Sequence, residues 1–247
     1  MTSPRRPLIS WVPATLVDAW SEGPSARTLV FDAPGLGPVL AGQHIDLRLT
    51  ADDGYTAQRA YSLSSPGGTG PIEITVDRID AGEVSPYLVE RLEIGQRIEV
   101  RGPIGMFFVW KPEQPEPVQL IAGGSGIVPL MAMIRTRQRT GGVTPFRLLY
   151  SVRHPDARFY TPELDALRQL GGVEVDYVFT RQVPDGWPRE AGRLSAALLD
   201  ELTVPAGEGP TVYVCGPTPF VEAVLTGLVA LGHPEENLRA ERFGPSG

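Results

Sequence analysis

The spacing of hydrophobic positions changes about halfway along the chain. Before residue 109, short apolar or β-branched stretches alternate with turns rich in glycine, proline or aspartate. Stretches of this kind predict strands, and their regular spacing is typical of an antiparallel barrel or sandwich. The predicted strands are residues 14–20, 26–34, 43–50, 55–64, 72–79 and 96–102.

One helix is predicted among these strands. In residues 83–92, EVSPYLVERL, the apolar side chains recur at helical spacing. KPEQPEP, residues 111–117, follows the last strand of this half. Its prolines disfavour both strand pairing and helix, so we expect a linker there. The sequence therefore predicts a first domain at 1–110 and a second at 118–247.

In the second half, continuous apolar runs alternate with segments of helical spacing. The predicted strands are 118–124, 146–152, 173–180, 211–216 and 238–243, and the helices are 127–138, 161–170, 194–202 and 219–232. Alternation of this kind predicts a parallel sheet with helices on both faces. Ligands of such sheets bind beyond the carboxyl ends of the strands.

Composition excludes several classes of protein and site. The net charge of −7 argues against a nucleic-acid-binding protein. A single cysteine, Cys215, excludes an internal disulfide, a cysteine zinc site and a cysteine-held iron–sulfur cluster within this chain. No metal site is predicted, because the histidines and carboxylates lack ligand spacing. The start, MTSPRRPLIS, has no signal-peptide core, and no apolar run could span a membrane, so we expect a cytoplasmic protein without membrane insertion.

Two glycine-containing turns precede predicted helices. Gly123, Gly124 and Gly126 permit tight turning and a close backbone approach, and the helix that follows would offer unpaired N–H groups to a phosphate. A turn that binds nothing has the same sequence, and the spacing differs from the usual dinucleotide fingerprint. Gly82 likewise precedes a helix, in which Ser85 is either a simple cap or part of a second phosphate site.

Several polar residues follow predicted parallel strands. Cys215 ends the fourth, where it is either a small buried apolar residue or part of a ligand site. Arg153 and Arg181 come directly after the second and third, which makes them candidates for binding an anion. In the first half, RAYSLSS, residues 59–65, puts a cation, a ring and hydroxyls on one extended segment. That segment is either an ordinary strand edge or the site of a ligand with a phosphate and a flat ring.

The chain resembles the ferredoxin–NADP reductase superfamily. Five motifs occur in the order of that family: RAYS (59–62), GEVS (82–85), GPIGMF (102–107), GGSGIVP (123–129) and CGPTPFVEA (215–223). The resemblance extends from about residue 10 to the end of the chain. It implies a Greek-key antiparallel β-barrel that binds FAD, followed by an α/β parallel-sheet domain that binds NADPH or NADH.

The resemblance also implies roles for residues of the barrel half. Arg59 would pair with the flavin pyrophosphate, Tyr61 would pack on the isoalloxazine ring, and Ser62 would point a hydroxyl at flavin N5. Ala60 lies in the same motif. The turn that would hold the FAD diphosphate, and that favours FAD over FMN, contains Gly82, Val84 and Ser85.

In the second half, the resemblance implies a nucleotide site. Gly123, Gly124 and Gly126 match the pyrophosphate turn, while Cys215, Gly216 and Pro217 match the segment beside the nicotinamide. Phe243 matches a terminal aromatic residue that lies near the flavin in relatives. Tyr61, Ser62 and Cys215 would then act by positioning the reacting groups.

Two departures from the family pattern concern the nicotinamide coenzyme. Val128 stands where relatives often have a hydroxyl residue in the glycine turn. Thr180 and Arg181 match a Ser-Arg pair of NADP-specific relatives, but a later Lys and Tyr are not evident. Arg181 favours NADPH. With one cysteine and no haem domain expected, electrons would leave to a separate acceptor: a ferredoxin or flavodoxin, an oxygenase, a molybdenum enzyme, free flavin or a ferric chelate.

Overall fold

The computed structural model describes residues 10–244, which form a six-stranded antiparallel sheet followed by a five-stranded parallel sheet. The first nine residues, which carry most of the segment used to argue against a signal peptide, lie outside the described residues. The fold class predicted from the sequence is confirmed. The predicted division at residues 110 and 118 stays a prediction.

The first sheet curls into a barrel that is left partly open. Its strands are β1 (Val12–Ser21), β2 (Ala26–Asp32), β3 (His44–Thr50), β4 (Thr56–Ser62), β5 (Ile72–Asp77) and β6 (Arg97–Ile104). They pair in the order β4-β3-β6-β1-β2-β5, so β4 and β5 are the two edges. Within residues 10–244, these edges are joined by one isolated bridge, Leu63 to Ile74. Beyond that bridge, the ladder between β4 and β5 does not continue among the described residues, so the two edges are unpaired beside Tyr61. We call this unpaired stretch the gap between β4 and β5.

A short helix, α1 (Val84–Glu90), follows β5. Its apolar face packs into the barrel core through Val84 and Leu88, both buried, with Leu92 just beyond the helix. The guanidinium of Arg27 on β2 donates to the carbonyl oxygens of Leu88, at 3.2 Å, and Leu92, at 2.8 Å. Carbonyls at the end of a helix lack partners within the helix. Arg27 therefore supplies the missing hydrogen-bond donors and holds α1 against the barrel wall.

The second sheet is parallel and covered on both faces. Its strands are β7 (Val118–Gly123), β8 (Phe146–Val152), β9 (Val173–Phe179), β10 (Thr211–Pro217) and β11 (Leu238–Phe243), in the order β11-β10-β7-β8-β9. Its helices are α2 (Ile127–Arg139), α3 (Thr161–Leu170), α4 (Ala196–Leu202) and α5 (Thr218–Ala230). One core contains buried residues of α2 and α3, and the other contains those of α4 and α5. The predicted two-sided packing is confirmed.

The connection between the sheets packs against the second one. Trp110 is buried, and its ring meets Phe146 of β8 edge-on at 5.0 Å between centroids. Phe108 meets Tyr213 of β10 in the same way at 5.4 Å. Edge-to-face aromatic pairs are favourable beyond the area they bury. These two aromatic residues therefore fix where the chain leaves the barrel.

A charged network joins the two sheets directly. Arg135 of α2 forms ion pairs with Glu73 of β5 and, at 2.7 Å, with Glu163 of α3. It also donates to the carbonyl of Ser64 at 3.0 Å. The side chains of Arg135 and Glu73 are only 16% and 15% exposed. Since a buried charge without its partner is costly, this pair constrains how the barrel and the parallel sheet meet.

Tyr160, the residue before α3, makes further contacts across the same boundary. Its hydroxyl contacts that of Thr75 on β5 at 2.5 Å, and its amide donates to the Glu22 carboxylate at 2.7 Å. The Gly67 amide donates to the Thr136 hydroxyl at 2.9 Å. The polar groups at the boundary between the sheets are thus hydrogen-bonded to specific partners, and these contacts define the geometry of the boundary.

We expect Arg135→Met to lower the free energy of unfolding by about 3 kcal/mol, because the Glu73 carboxylate would stay buried without its partner. Urea unfolding should also broaden towards two transitions as the halves uncouple. Arg147→Met is the matched control, since Arg147 pairs with Asp176 within the parallel sheet at 3.1 Å. Equal losses of stability and equally sharp transitions in both variants would contradict the interpretation.

Candidate functional site

The gap between β4 and β5 brings together the residues of the RAYS motif. Tyr61 is half-buried, and its ring packs against the barrel core. Burial raises the pKa of its hydroxyl to about 12, with a smaller opposing effect of the Arg59 charge. Tyr61 therefore presents a neutral ring at ordinary pH. Arg59 is exposed and donates to the carbonyl of Gln58 at 2.7 Å, Ala60 is exposed, and Ser62 is half-buried.

Helix α1 contacts both edges of the gap, β4 and β5, but Ser85 does not cap that helix. Glu83 occupies the cap position. The Ser85 hydroxyl is buried and accepts the Ile79 amide at 3.1 Å, which closes the turn around Gly82. A Cβ on Gly82 would lie 3.0 Å from that hydroxyl. The simple cap considered from the sequence is therefore wrong, and Ser85 shapes the loop that leads into α1.

The glycine turn after β7 is packed as tightly as backbone permits. A Cβ built on Gly126 would lie 2.1 Å from the carbonyl oxygen of Cys215, and one on Gly123 would lie 2.6 Å from the ring of Phe220. Such distances exclude larger residues unless the turn moves. Gly124 has a φ of +56°, and within residues 10–244 no heavy atom lies within 4 Å of a Cβ built there. The turn thus approaches β10 closely and leaves open space above Gly124.

That open space belongs to a cavity of about 550 Å³ between the barrel and the parallel sheet. From the parallel sheet it is lined by predicted residues, namely Gly123, Gly124, Arg153, Thr180, Pro217 and Phe243. From the barrel it is lined by Glu22, Pro24, Ser25 and Asp77. Strand β5 itself contacts the glycine turn. Residues far apart in the sequence therefore share one cavity at the carboxyl end of the parallel strands.

Four predicted residues lie beside the cavity lining. Gly126, Cys215 and Gly216 are part of the packed floor under the turn, where a Cβ on Gly216 would lie 2.7 Å from the Phe220 ring. Arg181 is exposed, and its amide donates to the carbonyl of Arg153 at 2.9 Å. This backbone hydrogen bond holds the ends of β8 and β9 together, and the side chains of Arg153 and Arg181 are both exposed.

Cys215 is buried and has the buried, apolar environment that most free cysteines have. Burial, with a smaller effect of the nearby Glu241 carboxylate, raises the pKa of its thiol well above the ordinary value. The thiol is therefore uncharged. Glu241 is paired with Cys215 in the register of β10 and β11, and burial raises the pKa of Glu241 to about 7.

Sequence reasoning missed several residues that line the cavity or its walls. Glu22 reaches the cavity from the turn after β1, and its carboxylate accepts bonds from Trp20 at 2.8 Å and Thr28 at 3.1 Å. Phe220 lies on α5 against two glycines. Phe220 lies inside a motif quoted from the sequence, so its signal was present. Glu22 carries no local signal, because the parallel-sheet residues that share the cavity with it are distant in the chain.

The described residues contain neither a cluster suited to a metal ion nor a helix suited to crossing a membrane. Within residues 10–244, no group of three or more histidine, cysteine, aspartate or glutamate residues could hold a metal ion. In the same residues, every helix is too short or too polar to cross a membrane.

Comparison with known families agrees with this geometry. The family model of an oxidoreductase FAD-binding domain matches residues 13–109, which contain the barrel. The family model of an oxidoreductase NAD-binding domain matches residues 120–226, which contain the glycine turn. The chain belongs to the ferredoxin–NADP reductase superfamily. The barrel is thus an FAD-binding domain and the parallel sheet a nicotinamide-nucleotide-binding domain of that superfamily.

Members of several kinds resemble the chain. A glycine betaine monooxygenase reductase subunit from Chromohalobacter salexigens is 33% identical over 225 residues, covering 88% of this chain and 60% of that protein. A 2-halobenzoate 1,2-dioxygenase electron transfer component from Burkholderia cepacia is 30% identical over 236 residues, covering 94% of this chain and 67% of that protein. The chain therefore spans about three fifths of the length of the first relative.

A solved structure resembles the whole fold. The flavohaem-like FAD/NAD-binding domain of nitric oxide dioxygenase from Vibrio cholerae O1 biovar El Tor superposes with a TM-score of 0.84 at 26% identity. The match covers 95% of this chain and 99% of that one. Both halves of the superfamily fold are therefore present in the same arrangement.

The residues of this chain fit the two cofactors of the superfamily. The gap beside β4 offers an exposed cation at Arg59 and a neutral ring at Tyr61, which suit a phosphate and a flat heterocycle. The turn at Gly124 leaves the open space that a close-lying dinucleotide backbone needs. The turn at Gly124 lies in the cavity between the two sheets.

The raised pKa of Glu241 predicts a stability that depends on pH. Its ordinary pKa is 4.5 and burial raises the pKa to about 7, so the folded state holds this proton when the unfolded state has lost it. Stability then falls as pH rises through that window. We expect Glu241→Gln to gain stability relative to wild type between about pH 5 and about pH 8 in urea unfolding. Glu236→Gln, on an exposed residue just before β11, is the control. A gain that is the same at every pH would contradict the assignment.

Proposed function

We propose that the chain is an FAD-dependent oxidoreductase that takes hydride from NADH or NADPH and passes electrons to a separate acceptor. One observation carries this proposal: the cavity of about 550 Å³ is lined both by the glycine turn of the nucleotide domain and by the end of β5 beside the flavin gap. A nicotinamide held by the turn would then lie next to a flavin held by the barrel. Proximity of that kind accounts for a large part of the rate of such reactions.

The residues of the chain act by binding and orientation. Bound FAD supplies the chemistry that accepts hydride and gives up electrons. In our proposal, Arg59 holds the diphosphate, Tyr61 covers one face of the ring, and the Ser62 hydroxyl lies at its reactive edge. Gly123 and Gly124 let the coenzyme diphosphate approach the backbone. Cys215, buried and uncharged, is a neutral floor beside the nicotinamide and has no role as a nucleophile.

A redox protein is the acceptor that we favour. The relatives named as a monooxygenase reductase subunit and a dioxygenase electron transfer component support an oxygenase partner. Transfer to free flavin or to a ferric chelate is the second candidate, and a flavin-binding regulatory subunit is the third. A cytoplasmic location stays a prediction from the sequence.

Either coenzyme is compatible with the superfamily. Our preference for NADPH rests on Arg181, which is exposed beside Arg153 where β8 and β9 end. A guanidinium there would suit a 2′-phosphate. Thr180, which lines the cavity, would lie under the adenosine ribose of the coenzyme in this proposal.

Anaerobic mixing with a coenzyme tests the function. We expect the visible absorbance of the purified flavoprotein to bleach on addition of NADPH or NADH, and much faster with one of them. Turnover with a ferredoxin, compared with free FMN and a ferric chelate, then separates a protein acceptor from small ones. A yellow protein that neither coenzyme bleaches would exclude the reductase and favour a regulatory subunit.

Arg181→Ala tests the coenzyme preference. We expect it to raise the KM for NADPH about tenfold while changing the KM for NADH little, because a charge-assisted contact to the 2′-phosphate is lost. Steady-state kinetics with both coenzymes measure the split. Arg189→Ala is the control, since Arg189 pairs with Glu201 away from the cavity lining. Equal changes for NADPH and NADH would show that Arg181 does not distinguish them.

A further inference from the structure

The barrel wall of the cavity between the sheets is bonded to one residue of the other half. That wall consists of Glu22, Pro24, Ser25 and Asp77. Tyr160, the residue before α3, is hydrogen-bonded to Glu22 directly and to the strand that carries Asp77. The function proposed so far gives Tyr160 no role.

The backbone of Tyr160 holds Glu22. Its amide donates to one carboxylate oxygen of Glu22 at 2.7 Å. The other carboxylate oxygen accepts from the Trp20 indole at 2.8 Å and from the Thr28 hydroxyl at 3.1 Å. A carboxylate fixed by three donors has little freedom to rotate. Glu22 is therefore a rigid part of the cavity wall.

The side chain of Tyr160 holds β5. Its hydroxyl contacts that of Thr75 at 2.5 Å, and the Thr75 hydroxyl contacts that of Thr28 at 2.7 Å. The Glu22 carboxylate can only accept, so Thr28 donates to it. Each hydroxyl has one proton to donate, so Thr75 donates to Thr28 and Tyr160 donates to Thr75. These bonds close a ring of buried groups that begins and ends at Tyr160, and Thr75 lies two residues before Asp77 on β5.

The backbone conformation of Tyr160 is unusual. Its φ is +55°, and among residues 10–244 it is the one residue other than glycine with a positive φ. A bulky side chain rarely adopts this region, and such strain persists where the surrounding contacts determine it, often at functional sites. Its ring lies 5.0 Å from the Arg135 guanidinium. Burial raises the pKa of the Tyr160 hydroxyl well above the ordinary value, so the hydroxyl stays protonated and able to donate.

We infer that Tyr160 is a positioning residue for hydride transfer, which holds β5 and the barrel wall of the cavity at a fixed distance from the glycine turn. The inference rests on the proposed function, in which the turn holds the coenzyme and the gap beside β5 holds the flavin. Strand β5 contacts the glycine turn, so a shift of one against the other changes the distance between the two rings. A misplacement of about 1 Å can lower the rate of such a reaction about a hundredfold.

A charge-transfer absorbance band tests this inference without turnover. The tetrahydro analogues of NADPH and NADH bind as the coenzymes do but carry no transferable hydride. A long-wavelength band then reports how closely the nicotinamide ring stacks on the oxidised flavin. We expect Tyr160→Phe to weaken the band by about half or more, while the Kd of the analogue changes by less than about twofold, because the rings separate but their binding groups remain.

Stopped-flow reduction of the flavin gives the matching rate. With the coenzyme that bleaches wild type faster, we expect Tyr160→Phe to lower the rate at saturating coenzyme about tenfold. Thr75→Val removes the other partner of the same contact and should have the same effect. Thr75→Ser keeps the hydroxyl and should stay close to wild type. The double variant Tyr160→Phe/Thr75→Val should lose little more than either single variant, since both remove one interaction.

Tyr150→Phe is the matched control. Tyr150 is also fully buried, and its hydroxyl accepts from the Phe159 amide at 3.3 Å, within the parallel-sheet half. This variant loses a buried hydroxyl that has no contact with the barrel. It should leave the charge-transfer band and the rate of flavin reduction at the wild-type values.

The other outcomes overturn the inference. If Tyr160→Phe and Tyr150→Phe lower the rate equally, the Tyr160 hydroxyl contributes only stability. If Tyr160→Phe weakens coenzyme binding but leaves the rate at saturation unchanged, Tyr160 shapes the binding site and does not position the rings. If it changes neither, the wall is held without it. Should Tyr160→Phe fail to fold, Thr75→Val decides between the same outcomes.

Failure of the proposed function has a different signature. A wild-type protein that neither coenzyme bleaches would remove the reductase, and the positioning role with it. A wild type that is reduced normally, with variants of Tyr160 and Thr75 that are reduced equally fast, would remove the positioning role alone.

Discussion

The ion pair between Arg135 and Glu73 is the constraint on which the rest of the structure depends. It joins α2, the helix that follows the glycine turn, to β5, one edge of the flavin gap. Neither half contains a complete site, because the cavity between the sheets takes its lining from both. The Glu163 and Ser64 contacts fix the guanidinium from two more sides. A rigid boundary suits a reaction that depends on the position of two cofactors and needs no acid or base from the protein in the hydride step.

Steric exclusion gives the nucleotide half its shape. Gly126 lies against the carbonyl of Cys215, and Gly123 and Gly216 lie against the ring of Phe220, so β7, β10 and α5 meet at van der Waals distance. The glycines therefore have two separate roles. Most of them permit close packing of the protein on itself, while Gly124, with its positive φ, faces open space. Val128, which departs from the family pattern, is buried in α2.

The flavin half depends on an incomplete barrel. If β4 and β5 paired along their whole length, the edge of the strand that carries Tyr61 and Arg59 would be covered by another strand. One bridge at Leu63 and Ile74 brings the edges together, and α1, held by Arg27, occupies the space beyond it. The result is an unpaired edge along the strand that carries Tyr61 and Arg59.

The sequence by itself determined the elements and their order. Its period-2 and continuous apolar runs located every strand to within a few residues, as in Phe146–Val152 and Leu238–Phe243, because local alternation reports which faces are buried. The RAYS and glycine motifs could be recognised in the sequence because the residues of each motif lie within a few positions of one another. Only the tertiary structure decided that Arg135 meets Glu73, that Glu22 reaches the nucleotide cavity, and that Ser85 closes a loop instead of capping α1. The first two contacts form only when the two sheets pack together, so no local pattern reports them. The third joins Ser85 to the Ile79 amide within the barrel half, in an irregular turn that no periodic pattern describes.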